Sequence, residues 1–531
     1  MGKNCLKQTV ATVTATVCMM AATAAQATDF GAMVEHLLHA QSQKLFGIAK
    51  PLERPADAGD VVPRELASAD ERQLLAKNLK AEFVARNVAY LADMIAFWPD
   101  DVNYTHLIIC IEQSRAGTTP LGNGGLNAAV QRVNVETGAV ETILHGMSRC
   151  DGIRTTPWGT VLVTEETDDG RGYEIIDPLN TTGHWVADRA TGDVRDGIDS
   201  ATASSNIVQR QDLPTMAWEG LTVLANGVVI GGDELRPGSD GLGDSDGGAI
   251  FRFVPDTLFS CVGPLQTPGA VCQNPIDDLA DSPLAAGRTF ALQIQCTTGV
   301  QFGQGCEVGT GSWIQVNPLM ARADTDARGA TGYYRPEDLH RDPTFGPADL
   351  SDLSAGIRFC WTNTGNEGAM HFAETVCAED LAPAATQEVE ITAGGITNDY
   401  LSPDGTERAL TYVNRFVEGD ERFNSFDNLA FQPATGNLYV IEDHSFGEIY
   451  ACLPDGADRD IKSDGCVSVL SVIDPGAEPT GFIFDGTGEV AFYNIQHGQQ
   501  PPALLDFSSN PVDGRTDDLI KITGFKVQGT K

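Results

Sequence analysis

The chain has 531 residues, 42% of them hydrophobic and 20% charged, so it has material for a sizeable core and is not wholesale disordered. Its net charge of −38 excludes a nucleic-acid-binding surface, because neutralising phosphates needs Lys and Arg. The same acidity attracts cations and repels anionic substrates, unless a bound metal inverts the local field.

The first residues, MGKNCLKQTVATVTATVCMMAATAAQA, read as a signal peptide over 1–27. Lys3 and Lys7 form a basic start, an apolar and small-residue stretch follows, and Ala25-Gln26-Ala27 has the form of a cleavage site. No later stretch is apolar for long enough to span a bilayer, so a periplasmic or secreted protein with no membrane span after cleavage is expected. Of the 12 cysteines, Cys5 and Cys18 fall within this segment. In an oxidising compartment the close pairs Cys261–Cys272, Cys296–Cys306, Cys360–Cys377 and Cys452–Cys466 are expected as local disulfides. Cys110 and Cys150 are left over; they either pair, or one of them does chemistry.

From Phe30 to about Trp98, apolar residues recur at three- and four-residue spacing, predicting a helical N-terminal segment over 28–100 that packs on the outside of the main domain. His36 and His39 sit three apart on the first of these helices without a carboxylate partner, which reads as a surface or packing feature and not as a metal site. After Tyr104 the pattern changes to short apolar runs between Gly, Asp, Asn and Pro, which predicts an all-β sandwich, barrel or propeller over 101–531. The unit "strand, Gly turn, strand ending in an acid" recurs in WGTVLVTEE, ANGVVIGGDE and TGNLYVIED. Such repetition favours a propeller, with the acidic ends converging on one mouth of its channel. Regions 256–290 and 319–356 are richer in Pro, Asp and Gly and read as inserted loops.

Gly243-Asp244-Ser245-Asp246-Gly247 matches G-x-S-x-G, but it leads into a strand instead of the helix that a nucleophile elbow needs. What remains is a scattered set of carboxylates: Glu112, Glu165 and Glu166, Glu219, Asp233 and Glu234, Glu337, Asp427, Glu442 and Asp443. Their hard oxygens suit calcium, and Cys150 with the histidines would suit a softer metal. Arg335, two residues before Glu337, either pairs with a carboxylate or grips a phosphate.

At these residues the sequence resembles the PhoX family of bacterial exported alkaline phosphatases. The likeness runs in order through RCDGIRTTPWGTVLVTEE, AWEGL, YYRPEDL, SFDNLAFQPATGNLYVIED and VAFYNIQHG. It implies a six-bladed β-propeller with a mixed iron and calcium cluster, Ca2+ and Fe3+, that hydrolyses small phosphate monoesters as a monomer. Carried over by motif, Cys150 resembles an iron-ligating cysteine. Glu219, Glu337 and Asp427 resemble metal-binding carboxylates, Glu165 and Glu166 further members of the calcium shell, and Arg335 a phosphate-contacting residue. A Cys110–Cys150 disulfide would remove the iron ligand. It would favour the alternative, a calcium-binding propeller acting as a ligand-binding module or as a lactonase-like hydrolase.

Overall fold

The structure is a computed structural model that describes residues 30–116, 126–197, 200–239, 241, 246–294, 307–388, 391–392, 395–396, 410–454, 465–500 and 515–527. The signal-peptide segment 1–27, the Cys296–Cys306 pair and most of the G-x-S-x-G stretch lie outside the described residues. Among the described residues, no helix is long and apolar enough to cross a membrane.

The chain folds as an all-β propeller. Strands Ala92–Trp98, Cys150–Thr155, Trp218–Val223, Pro336–Arg341, Phe426–Phe431 and Glu478–Phe484 touch one another in that order around a closed ring, the last meeting the first. These inner strands line the channel, and from each of them strands run outward, in antiparallel steps except for one parallel pair, Val140–His145 with His184–Asp188.

The expectation of a six-bladed propeller is corrected by the sheet arrangement. Four sheets stand as separate blades, of four, four, five and six strands, whereas the rest of the propeller is one continuous ten-stranded sheet. Its two halves are joined because Gly309–Gly311 of the strand Gly309–Val316 pairs with Thr411–Val413 of the strand Thr411–Glu418. A two-stranded ribbon, Ile391–Thr392 with Gly395–Ile396, completes the strands described.

The helical reading of 28–100 holds only for Phe30–Leu45. Leu38 of that helix is buried with Val467 and Val469 of an outer strand, so the helix packs on the outside of the propeller. The second predicted helix is instead the strands Gln73–Leu75, Lys80–Ala89 and Ala92–Trp98, all built into propeller sheets. The physical reason is visible in Lys80–Ala89, where two register shifts interrupt the period-two alternation. Its buried residues fall at Ala81, Val84, Ala85, Val88 and Ala89, the spacing of a helix face. Ala92–Trp98 is covered on both faces, so it reads as a continuous apolar run. Region 319–356 is likewise not simply a loop, since it carries the helix Ala321–Arg328 and the inner strand Pro336–Arg341.

The ring closes by pairing the N-terminal strand Lys80–Ala89 with Thr516–Thr523 near the C terminus. Beneath that seam Asp518 is fully buried and meets Arg64 at 2.9 Å, Arg86 at 3.2 Å and Arg72 at 3.3 Å. Disulfides join Cys110–Cys150, Cys261–Cys272, Cys360–Cys377 and Cys452–Cys466. In the last two pairs the cysteines are direct cross-strand partners.

Asp518→Ala would leave Arg64 buried without its counter-charge, while Arg72 would keep Asp474 at 3.2 Å. An uncompensated buried charge costs about 3–5 kcal/mol, read as a lower denaturant midpoint. A change below about 1 kcal/mol would mean that this cluster does not hold the seam. Peptide mapping without reduction should recover all four disulfides, and free thiols at Cys110 and Cys150 would contradict their pairing.

Candidate metal centre

The channel carboxylates owe their position to a repeated backbone device. Each inner strand carries a register shift near its start: Ala92/Ile95, Cys150/Ile153, Trp218/Leu221, Pro336/Leu339, Phe426/Leu429 and Thr480/Ile483. A bulge leaves a residue unpaired and re-aims its side chain. In the first five strands the displaced stretch holds Asp93, Asp151, Glu219, Glu337 with Asp338, and Asp427. Glycine follows the acid in Asp151-Gly152 and Glu219-Gly220 because the next inner strand lies against it. A Cβ at Gly152 would stand 2.1 Å from the Glu219 carbonyl oxygen, and one at Gly220 2.1 Å from the Leu339 nitrogen.

The paired acids at the ends of the second strands are separated by the pleat, which sends successive side chains to opposite sides. The first acid of each pair is structural. Glu165 accepts from the Ser148 nitrogen at 2.8 Å and the Arg171 nitrogen at 3.1 Å, and Arg189 reaches it at 2.9 Å. Asp233 is held likewise by the Ala217 nitrogen at 3.0 Å and Arg322 at 2.7 Å, and Glu442 by the Asn424 nitrogen and His444, both at 3.1 Å. The second acid turns toward the channel in Glu166, and in Glu112 at the matching place after His106–Ile111.

Together these residues form three overlapping triads whose ligand atoms lie within 4.8 Å of one another: Asp93–Glu112–Asp151, Asp151–Glu166–Glu219 and Glu219–Glu337–Asp427. Asp151 and Glu219 are shared, so seven carboxylates form one connected chain. Arg149 spans Glu112 and Glu166, with its Nη2 2.6 Å from Glu166. Arg335 meets Glu234 at 2.5 Å and Glu337 at 3.3 Å. Asp338 is paired with Arg154 at 3.1 Å and also contacts the His340 ring at 3.0 Å, whose proton affinity burial lowers.

Burial, and after it mutual repulsion, pushes Asp93, Asp151, Glu166, Glu219 and Asp427 well above the ordinary carboxylate range. Burial raises Glu337 to about 8 against the pull of Arg335. Asp93 Oδ1 and Asp151 Oδ1 are buried without a hydrogen-bond partner. Orphaned carboxylate oxygens in a cluster of hard ligands fit calcium, and Asp93, Glu112, Asp151, Glu166, Glu219, Glu337 and Asp427 are the residues that would hold it.

Of the sequence-derived residues, Glu112, Glu166, Glu219, Glu337 and Asp427 meet in this cluster and Arg335 touches it. Two assignments are corrected. Cys150 is bonded to Cys110 and has no thiolate to offer a metal, so a thiolate-held iron does not fit. Glu165 is saturated by Arg189 and backbone N–H groups on the other side of its strand. Asp93 and Asp151 escaped the sequence reading because neither ends a strand, although the Asp-Gly and Glu-Gly dipeptides at Asp151 and Glu219 were a usable signal. A cavity of about 1020 Å³ lies elsewhere, between the N-terminal helix and the Cys466–Val472 strand. None of its lining residues belongs to a triad.

In cation-free protein Glu337 keeps its proton up to about pH 8, whereas in the unfolded chain it loses it near its ordinary value of 4.5. The folded state therefore binds more protons in that window, and stability falls as pH rises through it. The melting temperature in a chelator should drop between pH 5 and pH 9, and calcium should cancel the drop; a flat profile in chelator would contradict the clustering. Glu219→Gln should raise the melting temperature in chelator by relieving repulsion, and lower the number of calcium ions bound.

No family model matches the chain, and no curated protein does. Among solved structures, PhoX of Pseudomonas fluorescens, in complex with the transition-state analogue vanadate, is similar at a TM-score of 0.53 and 14% identity, covering 88% of this chain and 97% of that one. A putative gluconolactonase matches at a TM-score of 0.37 and 9% identity, covering 86% and 96%. The PQQ-bound aldose sugar dehydrogenase of Streptomyces coelicolor matches at 0.35 and 12%, covering 84% and 99%. At these values the likeness to PhoX shows a shared propeller fold, and the weaker two carry no argument.

Proposed function

We propose that the protein is an exported, calcium-dependent hydrolase of small phosphate monoesters, acting as a monomer at the channel carboxylates. The observation that carries this reading is the chain of seven carboxylates, five of them buried, touched by two arginines. Calcium held there would cancel the negative field and stabilise charge on the transferring phosphoryl group. Arg335 would orient the phosphate through its planar fork, which matches phosphate oxygens two at a time. The buried, bulged inner strands keep the carboxylates in place. The four disulfides support export. The reading needs no thiolate.

The Cys110–Cys150 disulfide favours a second reading, a calcium-binding propeller that holds a ligand without phosphatase chemistry. A p-nitrophenyl phosphate assay at alkaline pH, with calcium and with chelator, separates the two. Calcium-dependent turnover is expected. Asp151→Asn and Glu337→Gln should lower kcat/KM by roughly 100-fold, the scale of losing one preorganised electrostatic group. Arg335→Lys should mainly raise KM, by roughly tenfold, through loss of the bidentate contact. Absence of turnover in calcium-loaded protein would give the lead to the binding module, and turnover of a lactone alone would make the protein a different hydrolase.

A further inference from the structure

Two arginines occupy the same structural position at this site. Arg149 directly precedes the inner strand Cys150–Thr155, and Arg335 directly precedes Pro336–Arg341. Both have left-handed backbone, with φ of 54° and 59°. Leu91 and Ser425 hold the same left-handed position before the inner strands Ala92–Trp98 and Phe426–Phe431, with φ of 66° and 54°, so the conformation is a repeated feature of the strand entries and residue type sets Arg149 and Arg335 apart. Each guanidinium is shared between two carboxylates. Arg149 donates from Nε to Glu112 at 2.9 Å and reaches Glu166 at 2.6 Å, while Arg335 lies between Glu234 and Glu337. Their partners Glu166 and Glu337 each share a triad with Glu219, the carboxylate common to the second and third triads.

Exposure separates Arg149 from an arginine that only neutralises. Arg252, paired with Asp380, is 1% exposed, whereas Arg149 keeps 46% of its side chain in solvent above carboxylates that are 15% and 5% exposed. Its partners Glu112 and Glu166 belong to the first and second triads. A dication drawn into those triads takes up the negative charge that now holds the guanidinium, so Arg149 would gain free donors as cations load. A guanidinium has five N–H donors, and its fork suits a tetrahedral oxyanion.

We propose that Arg149 is a second anion-gripping residue of this site, paired with Arg335 across Glu219, and that the two cations together favour a doubly charged terminal phosphate. The proposal rests on the hydrolase reading above and adds to it a residue that binds substrate.

The test measures binding of inorganic phosphate to calcium-loaded protein by calorimetry, with bound calcium counted by elemental analysis. Arg149→Gln should raise the phosphate Kd tenfold or more while leaving the calcium count unchanged. Arg149→Lys, which keeps the charge, should lie between it and wild type and serves if the glutamine variant fails to fold. If both folded variants bind phosphate as wild type does, Arg149 only neutralises Glu112 and Glu166, and the proposal is overturned. Wild-type hydrolysis of p-nitrophenyl phosphate beside an unchanged variant Kd would sink this proposal alone. Wild-type protein that neither binds phosphate nor hydrolyses the ester would sink the hydrolase reading with it.

Discussion

Seven carboxylates held within reach of one another, most of them out of water, repel each other and are poorly solvated. That unfavourable electrostatic contact is the constraint on which the channel depends. A charge taken into a low-dielectric interior must be paired, protonated or bound to a metal. Arg149 and Arg335 pair part of it, and raised proton affinities absorb another part. The orphaned oxygens of Asp93 and Asp151 leave a remainder that a hard dication would satisfy.

The fold bears this strain through its inner strands. A bulge near the start of five of the six inner strands directs an acid inward, and glycine beyond Asp151 and Glu219 lets the neighbouring backbone come close. Around this ring the supports are neutral or already balanced. Glu165, Asp233 and Glu442 lock the loops that lead into inner strands, and Asp338 is paired with Arg154. The Cys110–Cys150 disulfide ties the inner strand bearing Asp151 to the strand that leads into Glu112, so two ligands of the first triad are joined covalently at close range. What resembles a metal-binding cysteine in sequence is here a brace for the carboxylates beside it.

The seam that closes the propeller carries a different electrostatic arrangement. Asp518 is buried against three arginines from the N-terminal segment, so attraction and desolvation act on one cluster and hold the two ends of the chain together. Repulsion at the centre is thus enclosed by a ring whose closing contact is attractive.

Local sequence determined the short strands after Tyr104, the outer helix Phe30–Leu45, three of the local disulfides and the acidic character of the channel, because these follow from residue type and spacing over a few positions. Glu166, Glu219, Glu337 and Asp427 were singled out by the resemblance of their motifs to the PhoX family, not by spacing alone. Tertiary structure alone decided that Glu165 turns away from Glu166, since the pleat direction depends on which face of a sheet meets the channel. It also turned a helix-like pattern at Ala81–Ala89 into a bulged strand, because bulges shift the buried positions from period two to a helical spacing. The joining of strands into one ten-stranded sheet and the pairing of Cys110 with Cys150 were decided there too, because both depend on segments distant in the chain meeting edge to edge, which no local pattern encodes.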